Sequence, residues 1–188
     1  MPRRLFILVE GNDDERFFEH AIKPLLNQEY DQITIWQHAQ KSNESELKFL
    51  RSIKTIGADY IYVVDMDDAG CVNDKKKRVT KRLEEVDFDN ILVVIKEIEA
   101  WYLAGVDQKR AARIGFEAPA KTDNIYKEDF VQLIPRGSGS KIDFMMELVK
   151  SFSLKTGIGK NESLNYFFRN FIEPLLGQAR RQLAGNRE

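Results

Sequence analysis

The 188-residue chain has one cysteine, two histidines and no long apolar run. Cys71 has no partner for an internal disulfide, and no CxxC or HxxxH spacing offers a zinc site. A membrane-spanning helix needs roughly 18 consecutive apolar residues. The apolar stretch nearest the N-terminus, Leu5 to Val9, is too short even for an export signal, and acids follow it at once. A soluble, cytoplasmic protein with no membrane partner is the expectation. Internal repeats and low-complexity tracts are absent, and so is any Ser–His or Cys–His constellation for nucleophilic catalysis. The segment GIGKNES resembles a phosphate loop but fails, because Leu154 stands where the first glycine belongs and Asn161 where Ser or Thr belongs. An excess of charge is also lacking: 29 Lys+Arg face 30 Asp+Glu, which excludes a uniformly basic nucleic-acid coat. The 43% apolar content and 12 Phe supply a core and exclude a disordered or collagen-like chain.

Four short β-rich runs are present: Leu5 to Val9, Ile33 to Trp36, Tyr60 to Val64 and Ile91 to Ile95. The first is continuously apolar, as a strand buried on both faces requires. Helical patterns lie between them. Asp13, Asp14 and Glu15 enrich a first turn, Phe17, Phe18, Ala21 and Ile22 face a core, and Pro24 must bend or end that helix. Asn43 with Glu46 forms a capping-box pattern ahead of Leu47, Leu50 and Ile53, and Gly57 closes the helix. Val79, Leu83 and Val86 recur at helical spacing. This alternation predicts an α/β protein with an open parallel sheet of about four strands flanked by helices. Residues 1–105 would form this core. Residues 106–188 would form a mostly helical extension packed on it, giving one compact domain. Within the extension, Asp107 caps a helix through Ala112, residues 121–140 read as irregular, and helices begin near Ser140 and Asn161.

Acidic residues fall in a telling position. Val9 runs into Glu10-Gly-Asn-Asp13-Asp14-Glu15, Val64 into Asp65-Met-Asp67-Asp68, and Ile95-Lys96 into Glu97-Ile-Glu99. The carboxyl ends of parallel strands share one edge, where ligands bind. If the chain stays extended across Asp65-Met66-Asp67, the two-residue repeat puts both carboxylates on one face. Carboxylates gathered this way repel one another unless a cation neutralises them, and hard oxygens without His or Cys suit Mg²⁺ or Mn²⁺. Asp13 and Glu15 read better as first-turn helix acids, while Glu10, Asp65 and Asp67 together read as metal ligands.

These residues carry a family resemblance. Val9-Glu10-Gly11 after the first strand, with DxDxxG from Asp65 to Gly70 after a later one, resembles the Toprim domain of topoisomerases, primases, recombination proteins and overcoming-lysogenisation-defect (OLD) nucleases. The likeness covers about Leu5 to Gly105. Asp14, four residues after Glu10, resembles the ExxxD arrangement of the OLD type, and Glu97-Ile-Glu99-Ala-Trp-Tyr-Leu resembles a segment of small standalone Toprim proteins. The resemblance implies Glu10 as metal ligand and acid/base, and Asp65 and Asp67 as metal ligands. Asp14 with one or both of Glu97 and Glu99 would complete a second metal position. It implies a Mg²⁺- or Mn²⁺-dependent nuclease or nickase cutting nucleic acid, DNA in preference to RNA, by a two-metal mechanism. A role in phage defence follows by analogy only. Topoisomerase and primase accessory modules have no room here. The ATPase domain of OLD nucleases is absent, so any ATPase would be a separate partner; a homodimer is also compatible. The alternatives are a partner-activated, non-catalytic subunit, a small Toprim ribonuclease acting on structured RNA, and a receiver-like phosphoacceptor.

A positive group should offset charge on the phosphate. Lys141 is the candidate, because SGSK opens a helix after a glycine-rich loop and standalone relatives show a similar Ser-Lys; the competing reading is a solvated lysine. The run Lys75, Lys76, Lys77, Arg78 follows the DxDxxG loop and either tracks a nucleic-acid backbone or is a solvated helix face. His20 and His38 read as structural, and Trp101 and Tyr102 as packing against the sheet. Residues 1–135 hold 20 basic and 25 acidic side chains, a net −5, and residues 136–188 hold 9 and 5, a net +4. The near-neutral total thus joins an acidic part to a basic one.

Overall fold

The computed structural model describes residues 2–174 and 176; the remainder of the expected C-terminal helical segment lies outside the described residues. Four parallel strands, β1 (Arg4–Val9), β2 (Gln32–Gln37), β3 (Asp59–Asp65) and β4 (Ile91–Val94), lie in the order β2-β1-β3-β4. Ile7 of β1 sits in register with Ile35 on one side and Ile61 on the other. The chain steps from β1 outward to β2, then returns to place β3 on the opposite side of β1. A crevice therefore opens beyond the carboxyl ends of β1 and β3, the switch point at which open α/β sheets bind ligands.

The period-2 alternation of strand side chains divides the core into two layers. Leu5, Ile7, Val9, Ile61, Val63, Leu92 and Val94 pack with Phe17, Trp101, Phe144 and Phe167. On the other face, Leu8, Tyr62, Val64, Ile91 and Val93 pack with Leu50, Ile53, Val79 and Leu83. Covering both faces is what the unbroken apolar strands demand. The second face is covered by α3 (Asn43–Thr55) and α4 (Val72–Arg82). The first is covered by α1 (Asn12–Phe17), α2 (Lys23–Leu26), α5 (Ile98–Ala104), α6 (Gln108–Ile114), α7 (Lys127–Gln132), α8 (Lys141–Lys150), α9 (Leu154–Lys160) and α10 (Glu162–Phe167). Trp101 and Tyr102 are fully buried, as expected. The Trp101 indole N–H donates to Ser163 at 2.8 Å, and the Tyr102 hydroxyl donates to the Asp13 carbonyl at 2.8 Å.

Several local expectations need correction. Pro24 does not end its helix. A π turn over Phe18–Ile22 widens the coil so that the Lys23 N–H reaches the Phe18 carbonyl, and the helix resumes as α2. Ser42, not Asn43, caps α3, its hydroxyl accepting from the Ser45 N–H at 3.3 Å. Glu46 is instead drawn into the interior, where it accepts from the Tyr62 hydroxyl and from Arg82 at 3.2 Å. His20 is exposed, and only His38 of the two histidines is buried. Two short helices, α7 and α9, escaped notice because six or seven residues show too little periodicity, and α9 carries Gly157 and Gly159.

Two glycines, Gly105 and Gly157, explain how the helical part closes on the sheet. A methyl group on Gly105, just after α5, would lie 2.0 Å from the Phe152 ring, and one on Gly157 would lie 2.7 Å from Leu164. The same Gly157 position is 3.6 Å from the Gly105 backbone, so α5 and α9 meet where neither has a side chain. Gly105→Ala is expected to cost about 2 kcal/mol or more through overpacking, read as a lower urea midpoint with unchanged slope. His38 provides a second test. Its Nε2 lies 2.9 Å from the Val63 carbonyl, which puts a proton on Nε2, and its ring stacks on Tyr62. Burial pushes its pKa below the ordinary 6.5, against the pull of the Val63 carbonyl and Glu46. The unfolded chain takes up this proton first, so His38 supports stability above pH 6.5 and the support fades as pH falls below it. Urea midpoints at pH 7.5 and 5.5 should differ more for the native chain than for His38→Gln.

Candidate metal centre at the carboxyl edge of the sheet

The end of β1 delivers Glu10 and the end of β3 delivers Asp65. The Glu10 Oε1 accepts the Asp65 backbone N–H at 3.0 Å, so the two strand ends are tied through the carboxylate. Gly11 then turns the chain into α1, and its N–H donates to Asp14 Oδ2 at 3.1 Å, which folds Asp14 back over the strand end. After β4, Lys96 adopts a left-handed backbone (φ 66°), leaving Glu97 at the N-cap of α5 and Glu99 inside its first turn. Glu10, Asp14, Asp65, Glu97, Glu99 and Lys127 line one open cavity of about 430 Å³.

This cavity is short of positive charge and of hydrogen-bond donors. Asp14 Oδ1, Asp65 Oδ1 and Glu97 Oε2 are buried without a hydrogen-bond partner. Burial, with the charges of Asp14, Glu10, Asp67 and Glu99, pushes the Asp65 carboxyl up to about 9. Burial, with Glu10 and Glu99, pushes Asp14 up to about 7, although the Gly11 N–H works against the rise. Burial and Glu99 also raise Glu97. Partnerless hard oxygens under mutual repulsion fit a divalent cation such as Mg²⁺ or Mn²⁺ in donor chemistry and in charge. Among the described residues no three His, Cys, Asp or Glu side chains are already gathered as a ligand set, so capture of a cation requires the carboxylates to turn toward it.

Lys141 enters from the far part of the chain. Ser140 caps α8, its hydroxyl accepting from the Asp143 N–H at 3.1 Å, and Lys141 is the first helical residue. Its Nζ donates to Asp13 Oδ2 at 2.8 Å and to Glu99 Oε1 at 2.7 Å. Lys141 is therefore not a solvated lysine. Asp13 is also more than a helix acid: burial alone would raise its pKa, but Lys141 and Arg16 hold it below the ordinary range. Nothing in the local pattern around Asp13 signals a partner 128 residues away.

Asp67 and the basic run are arranged differently from the expectation. β3 ends at Asp65, and Asp67 turns left-handed (φ 45°), so the two carboxylates do not share one extended face. Asp67 pairs with Lys75 and lines a neighbouring cavity of about 300 Å³ with Glu10, His38, Lys75, Arg78 and Arg82. Its charge still reaches Asp65. Lys75, Arg78 and Arg82 fall on one face of α4 at helical spacing. Lys76 does not join them. It is 3% exposed, with its ammonium 3.3 Å from the Phe88 carbonyl and 5.1 Å from the Phe88 ring centre, which removes it from any nucleic-acid surface. Lys77 is exposed, and Arg78 is paired with Asp68 at 2.9 Å and Asp74 at 2.8 Å.

No family model matches the chain, and no curated protein matches it. Among solved structures, it is similar to the C-terminal region of the OLD protein of Burkholderia pseudomallei. The TM-score is 0.44 and the identity 15%, over 88% of this chain and 96% of that one. It is also similar to the C-terminal region of the OLD protein of Xanthomonas campestris pv. campestris, with a TM-score of 0.42 and 15% identity over 96% and 97% of the two chains. Among the described residues no helix is long and apolar enough to cross a membrane.

Folding forces the Asp65 carboxyl to take up a proton at neutral pH, a cost that a neutral amide does not carry, so replacing it should stabilise the metal-free protein. Asp65→Asn is expected to raise the melting temperature in EDTA by the equivalent of about 1–2 kcal/mol. The same change should abolish the further rise that Mg²⁺ or Mn²⁺ gives the native chain. A lower melting temperature in EDTA would contradict the repulsion.

Proposed function

We propose that the chain is a Toprim-type, metal-dependent phosphodiesterase that cuts or nicks nucleic acid, DNA in preference to RNA. The observation that carries this reading is the set of buried, partnerless carboxylate oxygens on Asp14, Asp65 and Glu97 beside Glu10, at the switch point of a parallel sheet. Glu10, Asp14 and Asp65 would hold the first divalent ion, with Glu97 and Glu99 of the same cavity available to a second. Bound ions of this kind lower the pKa of a water and stabilise a leaving oxygen.

The chain's own groups do the rest. Glu10 is oriented by the Asp65 N–H on Oε1, which leaves its second oxygen to accept a proton from the attacking water. Lys141 supplies a positive charge at the edge of the same cavity, suited to a non-bridging phosphate oxygen. Lys75 and Arg78 on α4 would guide the flanking backbone from the adjoining cavity, which shares Glu10.

Incubation with plasmid, single-stranded DNA and structured RNA in Mn²⁺ or Mg²⁺ tests the reading. Cleavage should appear with metal, vanish in EDTA, and fall by about 10²–10³-fold or more in Glu10→Gln and in Asp65→Asn. Full activity in either variant would sink it. Cleavage seen only after a separate ATPase is added would favour a partner-activated subunit.

A further inference from the structure

The acidic edge is divided into two unlike halves. On one side Asp14 Oδ1, Asp65 Oδ1 and Glu97 Oε2 lack partners, although Asp14 is only 6% exposed. On the other, Glu99 and Asp13 share the ammonium of Lys141. The Glu99 side chain is 4% exposed and that of Lys141 26%, so the ammonium sits at the boundary between interior and cleft. Asp14 and Asp65 feel the charge of Glu99, which places these carboxylates within one electrostatic neighbourhood.

We propose that Lys141 is a resident counter-ion that keeps Glu99 from metal. The protein alone then takes one divalent cation through Glu10, Asp14 and Asp65, and takes a second only when Lys141 releases Glu99. The proposal rests on the metal-dependent reading above and adds an order of events to it. An ammonium and a divalent ion cannot share the Glu99 carboxylate without strong repulsion, so one excludes the other. Lysine has three donors, and two of them are spent on Asp13 and Glu99. A phosphate oxygen reaching the third offers Lys141 a charge-assisted bond of the kind it already makes, so moving from carboxylate to phosphate is nearly balanced. Substrate arrival thereby frees Glu99 for the second ion. Completion of the metal site is coupled to the presence of a phosphodiester, and idle metal chemistry is suppressed.

The test is calorimetric titration of the chelator-stripped, full-length protein with MnCl₂ in the absence of nucleic acid. The native chain and Lys141→Arg should bind one ion per chain. Lys141→Met should bind two ions per chain. Glu99→Gln reads the same point without removing the lysine and covers the case in which Lys141→Met fails to fold. It should leave the first ion's affinity within about threefold of native, because Glu99 is not among that ion's ligands. Unchanged stoichiometry and affinity in Lys141→Met, loss of its Mn²⁺ binding, or loss of the first ion in Glu99→Gln would each overturn the proposal. Two ions on the native chain would overturn it while leaving the metal-dependent reading intact. No Mn²⁺ binding at all would overturn both.

Discussion

The structure turns on the cost of holding like charges together at the edge of a buried sheet. Parallel strands align their carboxyl ends by construction, and here β1, β3 and β4 each lead directly into acids. Water would screen such charges on an open surface, but Asp14, Glu99 and much of Asp65 are withdrawn from it. Repulsion and desolvation therefore act in the same direction, and both favour a cation or a proton. A fold selected for stability alone would place amides or apolar groups at these positions. Three buried oxygens left without a donor represent strain that the two core layers must support.

The support is local and traceable. The Asp65 N–H fixes Glu10, the Gly11 N–H fixes Asp14, and both donors are backbone groups whose positions the sheet and the β1–α1 turn dictate. α5 lies across the same face, with Trp101 and Tyr102 locked beneath it, so Glu99 is carried on a rigid element. The close approach of Gly105 and Gly157 then seats the later helices, among them α8, from which Lys141 reaches across to Asp13 and Glu99. The helical part thus does more than cover apolar surface. It delivers the one cation that directly contacts Glu99 among the described residues.

Much of this was legible in the sequence, and the reasons differ from one element to the next. The four strands and their acidic ends are readable because continuous apolar runs and abrupt carboxylates are local signals. Asp67 was misplaced because a left-handed turn at a non-glycine residue leaves no mark in the pattern. Lys76 read as part of a basic run that either tracks nucleic acid or faces solvent, but four consecutive residues on a helix face four directions, and this one faces Phe88. Glu46 passed as a capping residue because its true partners, Tyr62 and Arg82, are distant in sequence. Asp13 was hidden for the same reason: its partner Lys141 is brought to it only by the packing of α8.

The charge asymmetry along the chain acquires a physical meaning in this setting. The acidic excess lies in residues 1–135 and the basic excess in residues 136–188, yet Lys141 crosses from the second group into the first. One ammonium can neutralise Asp13 and Glu99 in part, but it contributes nothing by contact to Asp14, Asp65 or Glu97. The remaining deficit is concentrated where the unpartnered oxygens are, not spread over the surface. A divalent ion placed there would relieve repulsion among several carboxylates at once, which no monovalent side chain could do from a single position. The near-neutral total of −1 therefore joins a locally unbalanced edge to a basic surplus later in the sequence. An anion approaching that edge would meet weaker repulsion only once a cation had filled it.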